Sequence, residues 1–154
     1  MAVECNVYGQ GVQAIVERDI DLTSDTIKVA LFNDSHSFSE AHATWANVKA
    51  NQITGTNYNH AAGGLPITHG VADEVQYAAG IVSFGKDAED SEWTNSTITA
   101  HHAVVYQYID DTGAPDDASR LLCSIDFDGA EISADGDFTI EWHADGIFRF
   151  VVNP

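Results

Sequence analysis

The sequence predicts a mainly β domain, an antiparallel β-sandwich or a related barrel, with one short helix near the N-terminus. Runs of β-branched and aromatic residues recur roughly 10 to 15 residues apart after residue 75, divided by Gly and Asp turn signals. A parallel α/β sheet would need a helix between most strands, and this part of the sequence has no such pattern. The 154 residues fit one domain, 1–154, which is long enough to bury a core.

The N-terminal part contains the predicted helix, the first strand and a long polar segment. Apolar residues spaced three to five apart predict a short amphipathic helix over residues 7–18. Alternation of apolar side chains predicts a strand at residues 26–33. Residues 34–64 are rich in Ser, Asn, Thr, His and Gly, which predicts a long surface excursion with a helical turn near residues 42–49.

The rest of the chain predicts strands and turns. Strands are expected at residues 75–78, 81–84 and 97–109, followed by an acidic loop at 110–119. Three further strands are expected at residues 121–127, 137–142 and 147–152. Turn signals precede or separate them at Asp128-Gly129, Asp135-Gly136 and Asp145-Gly146.

The charge balance limits the partners. Six Lys and Arg residues stand against 24 Asp and Glu residues, for a formal net charge of −18. Affinity for nucleic acid comes mainly from cationic side chains, and an anionic membrane repels an acidic surface. We therefore expect no nucleic-acid or membrane partner; proteins, cations and neutral sugars remain. High acidity is also compatible with solubility in salt.

The cysteines and the N-terminus indicate a soluble protein made in a cytoplasm. Cys5 and Cys123 lie far apart in sequence, without metal-binding spacing, which favours two buried free thiols over a disulfide. The first residues do not show the basic and apolar regions of a secretory signal. No apolar run approaches the ~18 residues needed to cross a membrane.

No sequence pattern identifies a metal or cofactor site. His101 and His102 are adjacent, so on a strand they point to opposite faces. Four more histidines are scattered without ligand spacing, at positions 36, 42, 60 and 69. The aspartates of residues 126–137 depart from the calcium-loop pattern, and those of 110–117 are expected in solvated turns. We expect no metal and no cofactor.

No motif supports catalysis, and the aromatic residues favour a core. The sequence lacks a G-x-S-x-G motif, and its Gly63-Gly64 pair is not followed by the Lys of a phosphate loop. A histidine beside a serine, or converging acids in a cleft, would support a hydrolase. The tryptophans and tyrosines are expected mostly in the core, with a sugar-binding face as the alternative.

The order of several segments resembles a group of small virion proteins of tailed viruses of bacteria and archaea. The first matching segments are Tyr8-Gly with the helix after it, Asp25-Thr-Ile-Lys-Val-Ala-Leu31, Thr54-Gly-Thr-Asn-Tyr58 and Ala62-Gly-Gly-Leu65. The others are residues 93–100, 103–106, Ile125-Asp-Phe127, Gly136-Asp-Phe-Thr-Ile-Glu-Trp142 and Gly146-Ile-Phe148. The segments cover nearly the whole chain. The pair His101-His102 and the high acid content depart from the group.

The resemblance implies a non-enzymatic structural protein of the virion, made in the host cytoplasm. We expect a capsid decoration or cement protein on the outer surface of the major capsid protein lattice, with self-association on the particle. A tail, collar or fibre component, or a carbohydrate-binding module of the virion surface, are the alternatives.

Residues 1–18 and 34–64 are the parts least explained by a self-contained sandwich. We therefore expect one or both to contact neighbouring subunits. Aromatic side chains are favoured at interface hot spots. The predicted anchors are Tyr8, Phe38, Trp45 and Tyr58.

Overall fold

The computed structural model describes residues 4–68 and 75–151, and it is mainly antiparallel β with one α-helix, as the sequence predicts. The elements, in chain order, are β1 (Glu4–Val7), α1 (Gly9–Glu17), β2 (Ile27–Phe32), β3 (Leu65–Pro66), β4 (Val75–Ala78), β5 (Ile81–Phe84), β6 (Ser91–Gln107), β7 (Asp110–Asp111), β8 (Ala114–Pro115), β9 (Leu121–Ile140) and β10 (Phe148–Val151). Two single-turn 3-10 helices span Trp45–Asn47 and Lys49–Asn51. His69 and residue 152, the last residue of the predicted strand 147–152, lie outside the described residues.

The described residues form three antiparallel sheets. The largest has the strand order β1-β9-β6-β2-β3, the second has the order β10-β5-β4, and β7 pairs with β8 in a small hairpin. Within the described ranges the five-stranded sheet stays open, with β1 and β3 at its edges, so the architecture is sandwich-like and not a closed barrel. The described helices are too short to span a membrane.

The two long strands β6 and β9 form the central hairpin, and β9 corrects two predicted turns. It runs through both Asp128-Gly129 and Asp135-Gly136. Ala100 lies opposite Glu131 while His102 lies opposite Asp126, so β9 inserts extra residues between these two pairs as a bulge. Asp128, Gly129 and Asp135 have positive φ angles of 58°, 146° and 53°. Bulges and hairpin turns both favour residues that tolerate positive φ, so local sequence does not separate the two.

The five-stranded sheet is buried on both faces around β2, the last residues of β6 and the first residues of β9. Alternate residues of β2 enter different clusters: Val29 and Leu31 join the larger one, and Ala30 and Phe32 the smaller one. The larger cluster also contains side chains of α1, of the 53–67 segment and of the second sheet, including Ala14, Ile53, Ile67, Phe84 and Phe148. The smaller cluster is closed by Tyr8, Trp45 and Val48. The sheet is therefore the middle layer of the domain.

Helix α1 packs close to the sheet because its Gly11 faces β9. A Cβ on Gly11 would lie 2.1 Å from the carbonyl oxygen of Leu121, so only glycine fits this approach. The helix ends at Arg18, which has a φ of 69° and donates its N–H to the carbonyls of Ala14 and Ile15. Gly11 has a low intrinsic helix propensity, but it permits the packing of α1 on the sheet. Strand β1, just before the helix, was not predicted.

The segment 34–64 is polar in composition but anchored to the domain. Its 3-10 turns lie near the predicted helical turn, and Asn47 accepts hydrogen bonds through Oδ1 from the backbone N–H of Ala43 and Thr44, both at 3.0 Å. The Tyr58 hydroxyl accepts one from the Leu31 N–H at 3.0 Å. The segment therefore covers the sheet and is not a free excursion.

Candidate functional site

Three of the four predicted contact aromatics are core residues. Tyr8, Trp45 and Tyr58 are 0%, 3% and 6% exposed. Trp45 stacks on Tyr106 with 4.5 Å between ring centroids. Their rings thus pack inside the chain and leave little surface for a neighbouring subunit, and their role as contact anchors stays a prediction. Phe38 is half-buried, 4.9 Å from the Tyr8 ring, and remains a predicted contact residue.

The same burial applies to most of the aromatic residues considered for a sugar-binding face. Trp93 and Tyr106 are buried, as the sequence favours. Tyr77 is exposed on β4, and Tyr108 is half-buried beneath the Lys28 ammonium, which lies 3.5 Å from its ring centroid. Because Trp93 and Tyr106 are buried, they cannot join Tyr77 and Tyr108 in an exposed aromatic face.

A histidine does lie beside a serine, in the interior. Nε2 of His36 and Oγ of Ser124 are 3.1 Å apart, although 88 positions separate them in sequence. The ring of His102 lies 5.2 Å from that of His36, and its Nδ1 is 3.8 Å from Oδ1 of Asp126. This arrangement has the residue types of a nucleophile, a base and an acid.

Burial makes this histidine cluster structural. His36 and Ser124 are each only 3% exposed, so no substrate reaches the serine hydroxyl. Burial, with smaller contributions from the neighbouring His102 and His42 and an opposing one from Asp126, lowers the pKa of His36 to about 4. A neutral His36 therefore holds the start of the 34–64 segment against β9.

Carboxylates of the acidic segments accept hydrogen bonds from backbone N–H groups close to them in sequence. Oδ1 of Asp110 accepts hydrogen bonds from the Tyr108 hydroxyl at 2.6 Å and from the Gly113 N–H at 3.0 Å. Asp126 accepts one from the N–H of Asp128 at 2.9 Å. Within residues 4–68 and 75–151, no three His, Cys, Asp or Glu side chains are placed to hold a metal ion.

The two cysteines are neighbours across β1 and β9, and both are free. Cys123 is buried as predicted, but Cys5 is exposed because β1 is the edge strand of its sheet. A hydrogen bond with Cys123 lowers the pKa of the Cys5 thiol, while the same bond and burial raise that of Cys123. Cys5 is therefore the accessible thiol of the pair.

The main candidate site is a groove of about 570 Å³ at the end of β9, which we call the β9 groove. Its floor is apolar and consists of Ile125, Phe127, Phe138, Ile140, Trp142 and Ile147. Trp142 is held by two hydrogen bonds: its ring N–H donates to Oγ of Ser91 at 3.1 Å and its backbone N–H donates to Oδ1 of Asp90 at 3.3 Å. The groove thus has a positioned aromatic side chain and an apolar floor, which suits binding.

The rim of the β9 groove is acidic. Glu131, Asp137 and Glu141 line it, all exposed, and none of its described lining residues is Lys or Arg. Cys5 and His143 also lie on it, but Cys5 is hydrogen-bonded to Cys123 and Nδ1 of His143 accepts from the backbone N–H of Asp145 at 3.1 Å. The groove therefore offers apolar contact surrounded by negative charge.

A second, shallower depression of about 460 Å³ lies over β6. Its lining is mostly polar and includes Asp34, Thr97, Thr99 and His101. It lacks the apolar floor of the β9 groove, so we regard the β9 groove as the stronger binding surface.

Sequence reasoning missed the β9 groove for a physical reason. Its lining comes from β1, β9 and the turn before β10, which only the strand pairing brings together. Ile132, between Glu131 and Ser133 on β9, is 67% exposed, but that exposure is evident only in the folded structure. Comparisons with protein-family models, with curated proteins and with solved structures each found no match.

Proposed function

We propose that this chain is a non-enzymatic structural protein of a virion, and that it binds the outer surface of the major capsid protein lattice as a decoration or cement protein. The observation that carries the binding role is the β9 groove, an open apolar surface on an otherwise strongly acidic chain. The ordered segments that resemble small virion proteins support the place of action.

The charge and the interior of the domain agree with this role. A net charge of −18 opposes aggregation at the high local copy number of a shell, and two clusters of buried side chains form the core. The one serine–histidine pair described above is closed to solvent. We therefore expect Ser124→Ala to leave the hydrolysis of a p-nitrophenyl ester at the wild-type protein's background rate.

Copy number on purified particles tests the proposal. Quantitative mass spectrometry would compare this chain with the major capsid protein in virions that carry its gene. A ratio near one per capsid subunit, or a simple fraction such as one third, supports lattice decoration. A handful of copies per particle would instead place the protein in the tail, collar or fibre, and complete absence would overturn the structural role.

A further inference from the structure

We propose that the β9 groove receives an extended, basic and apolar segment of another protein, which adds as a strand to the outer edge of β9. This inference rests on the proposed role as a protein-binding structural component. It names the chemistry of the partner at that site.

The pairing of β9 leaves an edge open. Strand β6 pairs along one side of β9, from Leu121 to Ile140. On the other side β1 pairs only with residues 123–126, so in the described part of the chain residues 127–140 have no neighbouring strand there. An unpaired edge presents backbone N–H and C=O groups that an extended peptide can bind.

The lining of the groove places it along this edge. Residues 137–143 all line it without a gap. Successive side chains of a strand point to opposite faces, so a groove on one face would contact only every second residue. Contact with four consecutive strand residues, Asp137 to Ile140, indicates a groove that follows the strand edge. A peptide in it would reach both the edge of β9 and the apolar floor.

Charge selects the partner. Glu131, Asp137 and Glu141 line the groove, and no described Lys or Arg lines it with them; Asp137 also accepts a hydrogen bond through Oδ1 from the Asn95 N–H at 3.0 Å. A second copy of this chain would bring another 24 acidic residues and only six cationic ones, so like charge opposes self-pairing. A segment that alternates Lys or Arg with apolar residues matches both the rim and the floor.

The direct test is a titration of the ¹⁵N-labelled full chain with a short peptide. The probe is acetylated and amidated Lys-Val-Lys-Ile-Lys-Val, and the matched controls are Glu-Val-Glu-Ile-Glu-Val and Lys-Val-Lys-Pro-Lys-Val, which keeps all three lysines. We expect amide shifts concentrated in residues 131–143, and at least tenfold weaker binding of each control, because one loses the charge match and the other loses a backbone donor. Equal binding of all three peptides, or shifts elsewhere, would overturn the inference.

Charge reversal provides the second arm. Glu131→Lys with Glu141→Lys should weaken peptide binding at least tenfold. Glu40→Lys with Asp111→Lys makes the same change in net charge at exposed positions outside the groove, and should weaken it less than threefold. Unchanged circular dichroism and melting temperature would show that both variants fold. Equal losses in the two variants, or dimerisation of the wild-type chain through the groove, would contradict a basic partner strand.

Binding to particles separates this inference from the proposed function. If the groove variant decorates stripped particles at wild-type occupancy, the strand-addition inference is wrong while the virion role stands. If the wild-type chain binds the peptide but is absent from particles, the groove chemistry stands and the virion role is wrong.

Discussion

Acidification should destabilise the domain through one buried histidine. His36 lies between the rings of Phe32 and His102, at centroid distances of 4.8 and 5.2 Å, with its Nε2 on Ser124. Burial lowers its pKa from the ordinary 6.5 to about 4. As the pH falls below 6.5 the unfolded chain binds a proton at this position while the folded chain does not, so protonation favours unfolding.

The magnitude follows from the difference between the two pKa values. The stability that neutral His36 provides is complete above pH 6.5 and is lost progressively as the pH falls toward 4. The full loss is about 3 kcal/mol, and at pH 5 it is about 2 kcal/mol. Partial burial also lowers the pKa of His102, with Asp126 opposing, so this neighbour changes stability in the same direction.

Urea unfolding at pH 7.5 and pH 5.0 measures the effect. We expect the free energy of unfolding of the wild-type chain to fall about 2 kcal/mol more than that of His36→Gln, which has no titratable group at this position. Comparing the two chains removes the contribution of the carboxylates, which both share. His143→Gln is the matched control at an exposed histidine, and it should keep the wild-type pH dependence.

Parallel pH dependences for the wild-type chain and His36→Gln would refute this reasoning. They would mean that solvent reaches His36 in the folded protein, contrary to its 3% exposure. A smaller difference that vanishes only when His102 is also replaced would assign the effect to the pair of rings.

Three further predictions concern packing and thiol access. Gly64→Ala should lower the free energy of unfolding, measured in urea, by more than about 2 kcal/mol, because the new Cβ would lie 2.0 Å from the Val29 carbonyl oxygen of β2. Gly113 has a similar positive φ but open space around it, so Gly113→Ala is the control. An equally large decrease in Gly113→Ala would show that backbone strain, and not the clash, destabilises the Gly64 variant. Tyr106→Phe removes a buried 2.7 Å hydrogen bond to the Gly63 carbonyl and should lower the free energy of unfolding by about 1 to 2 kcal/mol. An unchanged midpoint of urea unfolding would contradict that contribution. In the native protein a thiol reagent such as Ellman's should label Cys5 and leave Cys123 unmodified until denaturant is added; labelling of both at equal rates would show that β9 opens.

Local patterns predicted the strands whose pairing is regular. The alternation in β2 places Val29 and Leu31 on one face and Ala30 and Phe32 on the other, and β4 and β5 begin and end at the predicted residues. The pattern in β2 persists because this strand is buried against the same layer on each face along its length.

The same patterns misplaced the turns of β9. Asp128-Gly129 and Asp135-Gly136 have the composition of hairpin turns, yet the chain continues as one strand through bulges. Whether an Asp-Gly pair reverses the chain or kinks it depends on the partner strand, here β6, and the pair itself does not carry that information.

By itself, the sequence determined the fold class, the acidic surface and the positions of most strands, because these depend on residue type and short-range periodicity. Only the tertiary structure decided which polar and aromatic residues meet. Pairing of β1, β6 and β9 places His36 on Ser124, buries Tyr8 and Trp45, and forms the β9 groove. Such contacts join residues far apart in the chain, and they depend on strand register and packing. No regular spacing of residues in the sequence predicts them.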